Sequence, residues 1–105
     1  MTPDTFRLLA LGLANVRAGS TLGTEEFRAG GRVFATLGSP DVSIAIIKLT
    51  PQDQALFVAQ ARGAFEPQHG GAGARGATRV KLAMAELEVV RQALTAACRT
   101  ATRSG

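Results

Sequence analysis

Few residues in this chain are of the types that bind metals or activate a substrate, and they stand far apart. The sequence holds one histidine, His69, and one cysteine, Cys98. A zinc site needs several such ligands, so this pair falls short. His69 lies in a glycine-rich stretch, which is typical of a solvated side chain, and Cys98 falls on the apolar stripe of a predicted helix, which is typical of a small buried residue. We therefore expect no metal site.

The acidic residues and the glycines also lack the arrangement that catalysis or cofactor binding requires. Glu25 and Glu26 are neighbours in a predicted strand, so their side chains point to opposite faces. Glu86 and Glu88 are two apart on a predicted helix and do not face each other. Residues 71–76 match the letters of the dinucleotide-binding fingerprint, but a strand is predicted after them, where the fingerprint has a helix. We expect a protein that is not an enzyme and holds no cofactor.

The chemistry that remains is that of the cations. The chain carries 12 Lys and Arg against 8 Asp and Glu, and most of its net charge of +4 falls between residues 62 and 81. Arginine forms forked hydrogen bonds with phosphate, and basic clusters are typical of nucleic-acid binding. The candidate phosphate contacts are Arg28, Arg32, Arg75, Arg79 and Lys81. The alternative is an ordinary solvated surface, with arginine richness reflecting coding bias.

Two cap signals and an apolar stripe predict the helices that would position these residues. Thr2 followed by Pro3 starts a helix that runs to about Gly19. Thr50 followed by Pro51 starts a second helix, which runs to about residue 62. A last helix is predicted over residues 85–102, with apolar residues at helical spacing.

Alternating and apolar runs predict the strands. Glycines at residues 30 and 31 favour a tight hairpin between strands 25–28 and 32–37. In the second of these, Arg32, Phe34 and Thr36 are predicted to share one face. A turn at residues 38–41 leads to a central strand over 42–49. Residues 65–69 suit a short strand, and 78–82 a last strand with Arg79 and Lys81 on one face.

These elements predict one α+β domain over residues 1–105. Their order is α-β-β-β-α-(β)-β-α, and tight turns between neighbouring strands favour a mainly antiparallel sheet with helices on one face, a two-layer sandwich. The apolar run at residues 8–14 is too short to span a membrane. One cysteine rules out an intrachain disulfide, so we expect a cytoplasmic protein without a membrane partner.

Three segments together resemble the MmcQ/YjbR family of small bacterial proteins. They are residues 27–37 (FRAGGRVFATL), 48–51 (KLTP) and 76–82 (GATRVKL). The resemblance extends over residues 6–99 and implies an α+β fold similar to CyaY or to secretion chaperones. It also implies a DNA-binding role through a double-wing motif, with the wings at residues 29–31 and 68–81.

The chain departs from the family at three places. Members often carry tryptophan where this chain has Ala72 and Ala77, and acidic residues where it has Arg17. A CyaY-like iron site needs an acidic first helix, and Asp4 is the only acid there. Two functions stay open: a module that binds DNA or another polyanion, and a protein-interaction or chaperone-like domain, for instance a homodimer through the open sheet face or an edge strand. A third, an enzyme or small-ligand binder, has no residue in its favour.

Overall fold

A computed structural model describes residues 1–38 and 41–103 of the chain, which form six strands and four α-helices. The helices are α1 (Pro3–Leu11), α2 (Pro51–Gln60), α3 (Gly71–Ala74) and α4 (Leu87–Arg103), and a short 3₁₀ helix, Leu82–Met84, precedes α4. The strands are β1 (Arg17–Thr21), β2 (Thr24–Ala29), β3 (Arg32–Leu37), β4 (Ile44–Lys48), β5 (Phe65–Pro67) and β6 (Ala77–Lys81).

The strands pair into one antiparallel sheet in the order β1-β2-β3-β4-β6-β5. Helices α1, α2 and α4 pack on one side of it, around a core that includes Phe6, Phe27, Ile47 and Val90. We call the other side of the sheet the outer face. The predicted α+β class with a mainly antiparallel sheet is confirmed. The predicted elements occur in the predicted order, with one strand and one helical turn added.

Local sequence chemistry starts the two helices as predicted. The hydroxyl of Thr2 accepts a hydrogen bond from the backbone N–H of Thr5, at 3.1 Å, and Thr50 accepts one from the backbone N–H of Asp53, also at 3.1 Å. Each cap satisfies a backbone donor that the first helical turn leaves unpaired. Proline follows each cap directly, where its missing N–H does no harm.

The first helix is shorter than its apolar spacing predicts. It ends at Leu11, Asn15 takes a positive φ of 62°, and residues 17–21 continue as β1. A left-handed residue cannot continue a right-handed helix, and asparagine is among the residues that adopt this conformation most readily. The prediction of a helix to about Gly19 is therefore wrong, and the chain gains an edge strand there.

Phe34 departs from the alternation predicted for β3. The pairing of β2 with β3 shifts by one residue, which leaves Phe34 without a partner. A bulge of this kind lets successive residues face the same side. Phe34 and Ala35 are accordingly both buried in the main core. The prediction that Phe34 shares an open face with Thr36 is wrong, so Phe34 offers nothing to a dimer through that face.

The glycine pair at residues 30 and 31 marks a real turn. Gly30 and Gly31 have φ values of 60° and 79°, as the predicted hairpin between β2 and β3 requires. The second predicted turn, at residues 38–41, lies partly outside the described residues. The segment 70–76, predicted as a loop, contains the single turn of α3.

Among residues 1–38 and 41–103, no helix combines the length and the apolar character needed to cross a membrane.

Candidate functional site

The outer face gathers cations from four strands. Residues directly opposite each other in paired strands lie on the same face, and successive residues alternate. The register places two carboxylates there, on Glu26 and Glu66. It places five cations on the same face: Arg17, Arg28, Lys48, Arg79 and Lys81. Basic residues that are far apart in the sequence thus share one surface.

Two of the five cations form ion pairs on this face. Arg28 lies 3.1 Å from Glu26, and Arg79 lies 3.8 Å from Glu66, nitrogen to oxygen. Within the described part of the chain, Arg17, Lys48 and Lys81 have no carboxylate within 4.0 Å. These three cations are therefore the ones best able to meet an external anion.

Arg79 lies on β6, between β4 and the edge strand β5. It stands opposite Ile46 on β4 and Glu66 on β5, and its side chain is 24% exposed. Its Nε is buried without a hydrogen-bond partner in the described structure. The hydrogen bond from the Ser43 hydroxyl is the main cause that lowers the pKa of the Asp41 carboxyl, and the charge of Arg79 lowers it further.

A groove of about 670 Å³ crosses the outer face. Thr36, Ile46 and Lys48 form part of its floor. One flank is the β1–β2 hairpin, whose turn is made by Leu22 and Gly23 with φ values of 50° and 82°. Leu22 is fully exposed at the tip. Its positive φ costs a bulky residue free energy.

The other flank is the segment from Gln68 to Ala72, which begins the glycine-rich stretch. The buried side chain of Gln54, on α2, secures this stretch from the helix side. Its Nε2 donates to the backbone oxygens of Gly73 and Ala77, each at 3.0 Å, and also contacts the Thr78 hydroxyl at 3.2 Å. This flank is tightly held.

Two glycines of the glycine-rich stretch, residues 70–76, are required by close packing. A Cβ on Gly73 would lie 1.6 Å from the backbone oxygen of Gln68, and one on Gly76 would lie 1.8 Å from that of Leu49. Neither oxygen is free to swing away, because both belong to the backbone. The stretch that suggested a flexible phosphate cradle is a packed structural element.

The structure separates the predicted site residues. Arg28, Arg79 and Lys81 share the outer face, as their strands predict. Arg75 ends α3 and its guanidinium folds back against Gly71: a Cβ placed there would lie 3.1 Å from Nη1. Arg32 lies apart from the other three, in a cavity of about 450 Å³ that it shares with residues of α4.

Sequence reasoning missed two of the outer-face cations. Lys48 ends the apolar run of β4, and its spacing from Ile44 and Ile46 was a usable signal for the face on which it lies. Arg17 gave no such signal, because β1 was predicted as the end of a helix.

The hairpin at residues 29–31 does not project freely. A Cβ on Gly30 would lie 3.2 Å from the Cα of Thr102, so its tip packs against the last turn of α4. The β1–β2 hairpin, which was not predicted, is the one that flanks the groove.

The residues considered for catalysis are scattered. His69 is exposed, and Cys98 is half-buried, more open than predicted. Glu25 and Glu26 point to opposite faces, as predicted: Glu25 pairs with Arg7 of α1, and Glu26 with Arg28. Within residues 1–38 and 41–103, no three His, Cys, Asp or Glu side chains come together to hold a metal ion.

Comparisons with known proteins show the fold. The chain is similar to protein DR2400 of Deinococcus radiodurans, whose crystal structure contains a DUF419 domain, with a TM-score of 0.78 and 17% sequence identity. The match covers 99% of this chain and 80% of that one. No family model matches the chain, and no curated protein matches it. The chain therefore has the fold of a domain of unknown function.

Proposed function

We propose that the protein is a non-enzymatic, cytoplasmic module that binds nucleic acid on the outer face of its sheet. The observation that supports this is the gathering of five cations against two carboxylates on one face. Counterion release from phosphates supplies the free energy of such binding, and arginine and lysine contacts position the protein without reading the bases. The resemblance to the MmcQ/YjbR family, with its double-wing DNA-binding role, points the same way.

The distribution of aromatic residues favours duplex over single-stranded nucleic acid. Proteins that bind single strands stack the bases on exposed aromatic rings. All five aromatic residues here are phenylalanines, and each belongs to the main core or packs against it. The outer face therefore offers charge and a groove but no stacking platform. We expect a duplex to bind more tightly than a single strand of equal length.

A salt series with short duplex DNA tests the proposal. The variant Arg17→Ala/Lys48→Ala/Lys81→Ala removes the three outer-face cations that have no ion-pair partner among the described residues. Each lost phosphate contact lowers the slope of log K against log salt by roughly 0.9. We expect weaker binding at every salt concentration and a slope shallower by two to three contacts, as measured by fluorescence anisotropy.

A matched variant separates a site from general basicity. Arg62→Ala/Arg99→Ala/Arg103→Ala changes the net charge equally, at exposed positions outside the outer face. Binding close to that of the wild type is expected. An equal loss of DNA affinity in both triple variants, or no binding of DNA by the wild type at low salt, would rule out the outer face as the site. Conversely, Glu66→Gln should tighten binding, since it releases Arg79 from its partner.

Strand β1 supports a second candidate function, protein interaction through a sheet edge. It is an edge strand and all five of its residues are exposed. Such a strand presents unpaired backbone groups on which another strand can pair. If β1 mediates homodimerisation, Ala18→Pro should abolish the dimer: the alternation of hydrogen-bonded pairs from the Leu22–Gly23 turn directs the Ala18 N–H away from β2, and proline cannot donate a ladder hydrogen bond. Sedimentation of the wild type as a strict monomer would exclude the homodimer.

A further inference from the structure

A second groove lies on the helix-covered side of the molecule, away from the outer face. It has a volume of about 620 Å³, within the range of small-molecule sites. The connection between α1 and β1 forms one wall, through Leu13 and Ala14, and the C-terminal half of α4 forms the other. Cys98 lines the α4 wall and is half-buried. The lining is mostly apolar.

Both charged side chains of this groove are cationic, beside the neutral Asn15, Thr95 and Thr102. Arg99 and Arg103 lie four residues apart on α4, line the same groove and are both exposed. Like charges at this spacing repel each other, and an anion between them would relieve the repulsion. The part of the chain that the structure describes places no carboxylate in the lining and none within 4.0 Å of either arginine.

The hydroxyl groups nearby are already engaged. Thr95 donates to the backbone oxygen of Arg91 at 2.8 Å, and Thr102 donates to that of Cys98 at 2.9 Å. Their protons are therefore directed into the helix, and the guanidinium groups are the strongest donors that a ligand would meet. Arginine forms forked, charge-assisted hydrogen bonds with carboxylates, sulfonates and phosphates.

We propose that this groove binds a small organic anion with an apolar body and a single anionic head. The apolar body would lie against Leu13, Ala14 and Cys98, and the head would lie between Arg99 and Arg103. This site shares no residue with the groove of the outer face, so the proposal does not depend on nucleic-acid binding.

A fluorescence titration with anilinonaphthalene sulfonate tests the proposal, since this probe combines an apolar ring system with an anionic group. We expect saturable binding by the whole chain and displacement by decanoate or decyl phosphate. Decyltrimethylammonium, with the same apolar tail and the opposite charge, should not displace it. The variant Arg99→Gln/Arg103→Gln should weaken the binding of both probe and decanoate at least tenfold.

Two controls make the outcome specific. Arg62→Gln/Arg75→Gln removes the same charge at exposed positions outside both grooves and should leave the affinity unchanged, with folding of every variant checked by circular dichroism. Saturating decanoate should also slow the alkylation of Cys98 by iodoacetamide several-fold. Non-saturable probe binding, equal losses in both double variants, or an unchanged alkylation rate would overturn the proposal.

Two further results would assign the groove to a different occupant and would also overturn the proposal. Protection of Cys98 that grows with protein concentration, without added ligand, would mean that a second copy of the chain covers the groove. Displacement of the probe by an acidic helical peptide, but not by decanoate, would mean that a protein segment occupies it.

Discussion

The two flanks of the outer-face groove are built in opposite ways. The β1–β2 hairpin ends in an exposed turn, and Leu22 at its tip is in contact with solvent on all sides. The segment from Gln68 to Ala72 belongs to a stretch that the buried Gln54 secures and in which a Cβ has no room at Gly73 or Gly76. One flank ends in a turn surrounded by solvent, and the other is packed against the body of the protein.

The difference shows that glycine content does not reveal how closely a segment is packed. Seven of the glycines in the described residues have positive φ, but only some also pack against backbone. Gly76 has both a positive φ and close backbone packing, whereas Gly70 has only the positive φ. The glycine-rich stretch is the closely packed flank, and the flank with fewer glycines is the exposed one.

The largest effect should come from Gly76→Ala. The added Cβ would overlap the backbone oxygen of Leu49, in addition to the cost of a φ of 113°. We expect a loss of more than about 3 kcal/mol in the free energy of unfolding, or no folding at all. Gly31→Ala, in the β2–β3 turn with a φ of 79° and open space around its Cβ, is the control and should cost only about 1–2 kcal/mol. An equal loss of unfolding free energy in the two variants, measured by urea unfolding, would show that the contact with Leu49 does not constrain Gly76.

Gln54→Leu should give the next largest effect. The change keeps the volume similar but removes the donor shared by the backbone oxygens of Gly73 and Ala77. Each oxygen keeps one backbone hydrogen bond, Gly73 from the N–H of Gly76 and Ala77 from the N–H of Gln68. The cost is therefore that of the lost bonds themselves, about 0.5–1.5 kcal/mol each and about 1–3 kcal/mol in all. Amides of residues 70–77 should also lose protection from hydrogen exchange. Gln60→Leu, at an exposed position of the same helix, should leave stability and protection nearly unchanged; a similar loss there would argue against the role given to Gln54.

On the exposed flank, Leu22→Asn should stabilise the protein. Asparagine followed by glycine suits a two-residue hairpin turn with positive φ, and the leucine it replaces makes no buried contact. We expect a gain of about 0.5–1 kcal/mol in thermal or urea unfolding. Leu56→Asn, at an exposed site within α2, offers no such gain. A destabilised Leu22→Asn would mean that the tip is packed in solution.

The smallest effect concerns the ion pair that ties this flank to α1. Nε of Arg7 donates to Oε2 of Glu25 at 2.8 Å, and this bond lowers the pKa of the Glu25 carboxyl below its ordinary 4.5. A carboxyl with a lowered folded pKa stabilises the protein above its unfolded pKa, and the stabilisation is lost as the pH falls through the folded value.

Thermal unfolding of the wild type and of Glu25→Gln tests this link. The wild type should have the higher Tm at neutral pH, and the two Tm values should converge as the pH falls below 4.5. Asp41 and Glu88, whose carboxyl pKa values are also lowered, are present in both proteins and cancel in the comparison. A Tm difference that does not change with pH would show that Glu25 acts through packing.

Local chemistry is the part of this fold that sequence reasoning recovers. The caps at Thr2 and Thr50 follow from a hydroxyl placed before proline, and the glycines of the β2–β3 turn follow from the φ values that such a turn needs. The alternation in β6 correctly places Arg79 and Lys81 opposite the buried Val80.

The parts that were missed depend on contacts distant in sequence. β1 carries no apolar alternation because all of its residues are exposed, so nothing local marks it as a strand. The bulge that turns Phe34 inward arises from the pairing of two strands. The gathering of Arg17, Lys48 and Arg79 requires the strand order across the whole sheet, which no single segment encodes.

The placement of the aromatic residues has a consequence for optical measurements. The chain has no tryptophan and no tyrosine, and its phenylalanines are all in or against the core. The wild-type protein therefore has almost no intrinsic emission of its own. A single tryptophan introduced by Thr36→Trp, on the floor of the outer-face groove, would be the main source of protein fluorescence, and its emission would report directly on ligand binding at that face.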